Sequence, residues 1–271
     1  MERALELSLF LPYAVFRNPF TFIYTQTYPL PPPSTIVGML QKSLNSFDLY
    51  DRWKKHEIEV SIKGNYRSVF THYVRKIKGE LYFDNSILNK VSRDKEPETL
   101  INSDRKPVFE QEIYSLELLI HIKTDHQLLE KFHEKLSKPQ SIISVGRAEN
   151  VAFYLKEPRI VDIKENVSAK DSYTLRYSTY AKPSQLLNKD AKNYLPLSFI
   201  EVSYIYIAKG KDLYYSVFAG VERPKPLKIE RFYKLLFLEK GRELFLENLQ
   251  KVDFFNIDGE PEPVFWINYE D

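Results

Sequence analysis

Ser34 follows Pro31, Pro32 and Pro33 and precedes Ile36, Val37, Leu40 and Leu44, which recur at helical spacing. The pattern predicts a helix over about 35–46 with Ser34 as its N-cap. Prolines hold φ near about −65° and stiffen an extended segment, so the start of that helix is fixed in place at little further entropic cost. Its exposed N–H groups and the positive end of its dipole suit an anion, and Gly38 permits close backbone approach. The chemistry on offer is phosphate binding. The same residues also have a plain structural account, with Ser34 only a cap and Gly38 only a packing contact.

Bond-making chemistry has less to work with. The chain has no cysteine, which excludes disulfides, a thiolate nucleophile and zinc–thiolate sites. His126 and His133 stand seven apart on one predicted helix whose polar side also holds Glu130, with no third ligand at a metal-binding spacing, so a solvated face is expected and no metal. No glycine-rich phosphate motif and no Gly-x-Ser-x-Gly occurs, leaving NTPase and α/β-hydrolase readings unsupported. No cofactor and no small-molecule substrate is expected.

The elements that position these residues belong to an ordinary globular composition: 271 residues, 43% apolar and 28% charged. Aromatic residues reach 14%, with 19 tyrosines that can half-bury in packing or stack on bases. Residues 52–95 hold 11 Lys/Arg against 5 Asp/Glu, and residues 239–271 hold 3 against 9, so one region can attract phosphate while the tail repels it. Both can equally be solvated charged surface. No stretch approaches the roughly 18–20 apolar residues of a membrane span, and the first residues lack a signal-peptide pattern, so a cytoplasmic protein without membrane contact is expected.

Period-two alternation marks strands at Leu5, Leu7, Leu9 and Leu11, at Ile58, Val60 and Ile62, and at Leu116, Leu118, Ile120 and Ile122. Leu128, Leu129, Phe132 and Leu136 mark a second helix that must stop before Pro139, and "VAFYLKEPRIVDI" is a further strand. A polar, basic excursion over about 64–112 separates two of the strands. The order is βαββαβ, an α+β ferredoxin-like (RRM-like) core over 1–164, with a smaller, mostly β subdomain over 165–271 that holds "FIEVSYIYIA", the turn "KGKD" and "DLYYSVFAGV". The free face of the sheet carries Glu6, Glu57, Glu59 and Glu117 beside Phe10. Those carboxylates would repel phosphate and push any RNA toward the proline loop, the helix start and the excursion.

"FRNPFTFIYTQTYPLPPPSTIVGML" after the first strand and "SVGRAENV" after the second helix resemble the Cas five family of CRISPR-associated proteins, in the RAMP superfamily of ferredoxin-like cores. The resemblance covers about residues 4–155. It implies a subunit of a type I Cascade surveillance complex, of subtype I-B or close to it. Such a subunit grips the 5′ handle of the crRNA, caps one end of the backbone filament and abuts the large subunit. It also implies that the excursion is a β-hairpin thumb. The handle contacts then fall on Arg17, Tyr28, Ser34, Gly38, Gly146 and Arg147, and on Arg67, His72, Arg75, Lys76 and Lys78 of the excursion. Arg147 has an alternative role as an ion-pair partner of Glu149.

Relatives of subtype I-C cut precursor crRNA without metal, using a tyrosine and an adjacent Lys-His pair. Such cleavage needs a base for the 2′-hydroxyl, a cation for the phosphate and an acid for the 5′-oxygen. The only Lys-His dipeptide here, Lys55-His56, lies between the first helix and the second strand, away from the excursion. His72 is nearer the expected RNA but has no adjacent lysine. No catalytic residue is therefore expected. An endoribonuclease is the alternative, and a free-standing RRM-like RNA-binding protein is a second.

Overall fold

The four leucines of the first alternation are all buried in β1 (Arg3–Ala14). The computed structural model describes residues 2–18, 21, 24–46, 49–78, 104–147, 149–163, 172–186, 198–206, 228–245, 252–257 and 260–269. A short β2 (Tyr24–Thr25) leads to α1 (Pro33–Leu44), which buries Ile36, Val37, Met39 and Leu40, and α2 (Leu49–Lys54) follows. β3 (Ile58–Lys78) and β4 (Asp104–Thr124) pair antiparallel throughout, from Ile58 opposite Thr124 to Lys78 opposite Asp104. The tip between them lies outside the described residues. α3 (His126–Ser137) is capped by Asp125, whose carboxylate accepts from the Leu128 N–H at 3.0 Å. It buries Leu128, Leu129, Phe132 and Leu136 and ends ahead of Pro139. β5 (Phe153–Asp162) closes the unit.

Spatially these strands run β5-β1-β4-β3 with every neighbouring pair antiparallel. That is the ferredoxin-like order, with the long β3–β4 ribbon reaching beyond the sheet. No helix among the described residues is long and apolar enough to cross a membrane.

The C-terminal part extends the same sheet. β7 (Ser178–Ala181) pairs with β3 at Lys63 and Gly64, and β9 (Lys228–Leu238) and β8 (Ser198–Tyr206) follow outward. Two separate two-stranded sheets stand beside it: β6 (Ser172–Thr174) with β10 (Glu243–Phe245), and the hairpin of β11 (Asp253–Ile257) with β12 (Glu260–Val264). Ile267 exchanges backbone hydrogen bonds of 3.0 and 2.8 Å with Val60 of β3. Strands from both expected parts, 1–164 and 165–271, thus share one sheet. The turn "KGKD" and the strand "DLYYSVFAGV" lie outside the described residues.

The second face of the sheet differs from the expected acidic open surface. Glu6 is 5% exposed, because the β11–β12 hairpin covers it, with Phe255 stacked on His121 at 3.9 Å and 15°. Arg159 donates to Glu6 at 2.6 Å and His121 Nε2 lies 3.3 Å from it; fully buried Lys63 stands 3.7 Å from Glu262. Burial pushes His121 down to about 4 and Lys63 down to about 8. Burial would raise Glu6, but the hydrogen bonds from His121 and Arg159 outweigh it and hold the carboxyl at about 2. Partners far away in sequence convert half of the face into a buried ionic layer, while Glu57 and Glu117 stay exposed.

Candidate nucleic-acid interface

The chain approaches α1 through a clamped loop. Phe16 N–H donates to Thr27 Oγ1, Tyr28 N–H to the Phe16 carbonyl and Asn18 N–H to the Gln26 carbonyl, each at 2.8 Å. Arg17 bridges Thr27 through its backbone and leaves its side chain exposed. Farther on, the buried Tyr180 hydroxyl accepts from Leu30 N–H at 3.3 Å and donates to the Leu30 carbonyl at 2.8 Å. Pro31, Pro32 and Pro33 are buried behind this clamp, as a wall and not as an exposed ligand.

Two expectations change at the helix start. Pro32 is the N-cap, with φ −59° and ψ 152°, and Pro33 takes the first helical position, where a missing N–H leaves nothing unsatisfied. Ser34 therefore lies inside the first turn, half-buried, and no side chain caps the helix. Its N–H belongs to the first turn and has no intrahelical acceptor. Gly38 is half-buried one turn on. Tyr28 is 4% exposed and belongs to the hydrophobic core, so its ring is unavailable for contact with RNA, contrary to expectation.

The loop after α3 closes over this start. Buried Asn150 staples it: its amide donates to the carbonyls of Val15 at 3.2 Å and Val145 at 3.0 Å, and its oxygen accepts from Val15 N–H at 3.4 Å. Gly146 has φ +86°, which an L side chain adopts only with strain, and a Cβ there would stand 3.5 Å from Thr35 and 3.6 Å from Phe16. The glycine loop, the Phe16–Arg17 segment and the first turn of α1 therefore converge. Arg147 donates to Glu110 of β4, which is 4% exposed, and lies 3.8 Å from Glu149. Its guanidinium is committed within the protein on two sides.

The ribbon root adjoins this cluster, since Tyr24 and Thr71 share a hydroxyl hydrogen bond of 3.0 Å. Arg67 is exposed, and His72 Nδ1 lies 3.6 Å from Glu112. Arg75, Lys76 and Lys78 continue β3 opposite Pro107, Lys106 and Asp104. Their side chains lie outside the described residues. Lys55-His56 sits at the other end of β3, in the turn after α2 with His56 at φ 59°. Roughly 45 Å of extended strand, at about 3.3 Å per residue, separates that pair from His72.

Asn150, Tyr180 and Glu110 hold the site together and were not foreseen in the sequence. Among the described residues the Asn150 side chain bonds to backbone, and Tyr180 reaches Leu30 across 150 residues. A buried Glu opposite an Arg in a conspicuous glycine loop is the one signal that pairing charges could have raised.

A family model described as "CRISPR-associated protein (Cas_Cas5)" matches residues 4–202 of the chain. No curated protein sequence matches it. Similar solved structures include a chain of a CRISPR RNA-guided surveillance complex, at 13% identity and TM-score 0.44, covering 90% of this chain and 92% of that one. A chain of the Type III-B Cmr-beta bound to cognate target RNA and AMPPnP has 15% identity, TM-score 0.44 and coverage of 90% and 86%. A CRISPR protein from Archaeoglobus fulgidus has 10% identity, TM-score 0.39 and coverage of 98% and 100%.

Proposed function

The chain belongs to the Cas5 family of CRISPR-associated proteins, and from that membership we propose that it is the subunit of a type I Cascade, of subtype I-B, that holds the 5′ handle of the crRNA. In this role it caps one end of the backbone filament, contacts the backbone and large subunits, and does not cut RNA. The observation that carries the reading is the convergence of the proline-walled start of α1, the Gly146 loop and the root of a long basic ribbon. Arg17, Ser34, Gly38 and Gly146 line the handle on one side, and Arg67, His72, Arg75, Lys76 and Lys78 follow it along the ribbon. Arg147 supports this surface by pairing with the Glu110 carboxylate.

A non-cutting role accords with the placement of Lys55-His56 at the far end of β3 from the ribbon. The test is incubation of the purified protein with repeat RNA in EDTA, followed by separation of the products. Intact RNA that is nevertheless protected from added nuclease at its handle is expected. A fixed cut, lost in His72→Ala or His56→Ala, overturns the reading in favour of a metal-independent endoribonuclease.

A further inference from the structure

The β3–β4 ribbon carries an unusual aromatic surface at its root. Tyr13, Phe70 and Tyr114 are 51%, 36% and 40% exposed. Tyr13 lies opposite Tyr114, which in turn lies opposite Ser68, so one row crosses three strands with Phe70 beside it. The rings touch: Tyr13 and Tyr114 are 5.5 Å apart and Tyr13 meets Phe70 edge-on at 6.3 Å. His72 prolongs the group, 5.5 Å from Phe70.

A backbone irregularity accompanies the patch. Ser115 has φ 56°, and across it the positions of β4 that enter the main hydrophobic core change parity, from Leu116, Leu118, Ile120 and Ile122 to Ile113. Tyr114 is thereby turned outward, and Tyr13 with it. Contiguous exposed aromatic surface of this kind marks a binding face.

The surroundings select the occupant. Exposed Arg67 precedes Ser68 along β3. Beyond the rings, the paired stretches 75–78 and 104–107 hold Arg75, Lys76, Lys78, Arg105 and Lys106 against Asp104 alone. Flat apolar rings followed by a run of cations suit a polyanion that displays flat groups, namely a single-stranded nucleic acid. Glu112, the acid opposite Phe70, is already turned to His72.

We propose that Tyr13, Phe70 and Tyr114 form a stacking platform for unpaired bases of single-stranded RNA at the root of the ribbon. The proposal rests on the RNA-binding reading above and adds to it a contact made by base planes and not by phosphates. Stacking on such rings is tolerant of base identity, so the platform positions the strand while the cations beyond it supply most of the salt-dependent attraction.

The test uses the full chain and single-stranded repeat RNA oligonucleotides carrying 2-aminopurine at successive positions. Wild type is expected to quench the probe at one or two positions. Phe70→Ala and Tyr114→Ala are each expected to weaken binding about fivefold or more and to abolish that quenching, with an unchanged salt slope. Phe70→Trp should retain both, and Phe70→Leu, of similar apolar bulk, should lose both. If wild type binds no RNA, the RNA-binding reading falls and the platform with it. If wild type binds and the alanine variants bind and quench equally, the platform alone falls. Retention of RNA binding by Phe70→Leu and Phe70→Ala, with loss of a co-expressed protein subunit from the alanine variant, makes the patch a protein-docking face and also overturns the proposal.

Discussion

Replacing Arg147 by alanine tests whether the Gly146 loop is held by charge. Glu110 is 4% exposed and Arg147 is a charged partner of it across 37 residues of sequence, so the substitution takes a cation away from a buried carboxylate. Breaking a fully buried pair typically costs about 3–5 kcal/mol. The Arg147 side chain is 28% exposed, which lets solvent reach the vacated space, and a loss of about 2–3 kcal/mol is expected. Adding Glu110→Gln removes the charge that Arg147 offsets, and the double variant should recover at least about 1 kcal/mol of that loss. Urea unfolding at pH 7 of wild type, both single variants and the double variant yields the coupling directly. A change of less than about 0.5 kcal/mol in Arg147→Ala, or additive single effects, refutes the pairing as the loop's anchor. The double variant should also bind RNA with an unchanged salt slope; a slope smaller by about one would instead place Arg147 on a phosphate.

Tyr180→Phe removes the hydroxyl that serves both the N–H and the carbonyl of buried Leu30, and a loss of about 2–4 kcal/mol in chemical unfolding is expected from two stranded backbone groups. Gly64→Ala should cost about 1–3 kcal/mol, because its Cβ would stand 2.8 Å from both the Glu117 carbonyl oxygen and Leu30 Cδ2. Acid should weaken the hairpin over the sheet: His121 titrates at about 4 when folded, below its ordinary 6.5, so the unfolded chain takes the proton first. Stability is then complete above about pH 6.5 and falls by up to about 3 kcal/mol toward pH 4, with a further loss as Glu6 protonates between its ordinary 4.5 and about 2. His121→Gln should flatten the first part of that profile in pH-dependent melting.

The core was legible wherever a single element buries a single stripe. Leu5 to Leu11, Ile58 to Ile62, Leu116 to Ile122 and the four apolar residues of α3 all face inward as their spacing dictates. The helix start was misplaced by two residues because Ser34 is a better cap in isolation, whereas buried prolines can occupy cap and first-turn positions themselves. The second face was misread for a different reason. Glu6, Lys63 and His121 look like solvent-facing alternates, and only pairing with Arg159 and Glu262, more than 100 residues away, makes their burial tolerable. Tyr28 shows the same limit, since the loop that carries it folds inward against the Phe16 backbone. The aromatic row was hidden because an unbroken alternation places Tyr114 with Leu116, and nothing in the residue type of Ser115 announces a positive φ.

The most direct test of the central claim is equilibrium binding of the full chain to repeat RNA with and without its 5′ handle, across a salt series. The account predicts at least about tenfold tighter binding to the handle-containing RNA, with a log–log salt slope that falls by one to two in magnitude when Arg75 and Lys76 are replaced by alanine. Equal affinity for both RNAs, or a slope unmoved by the loss of those two cations, would contradict it.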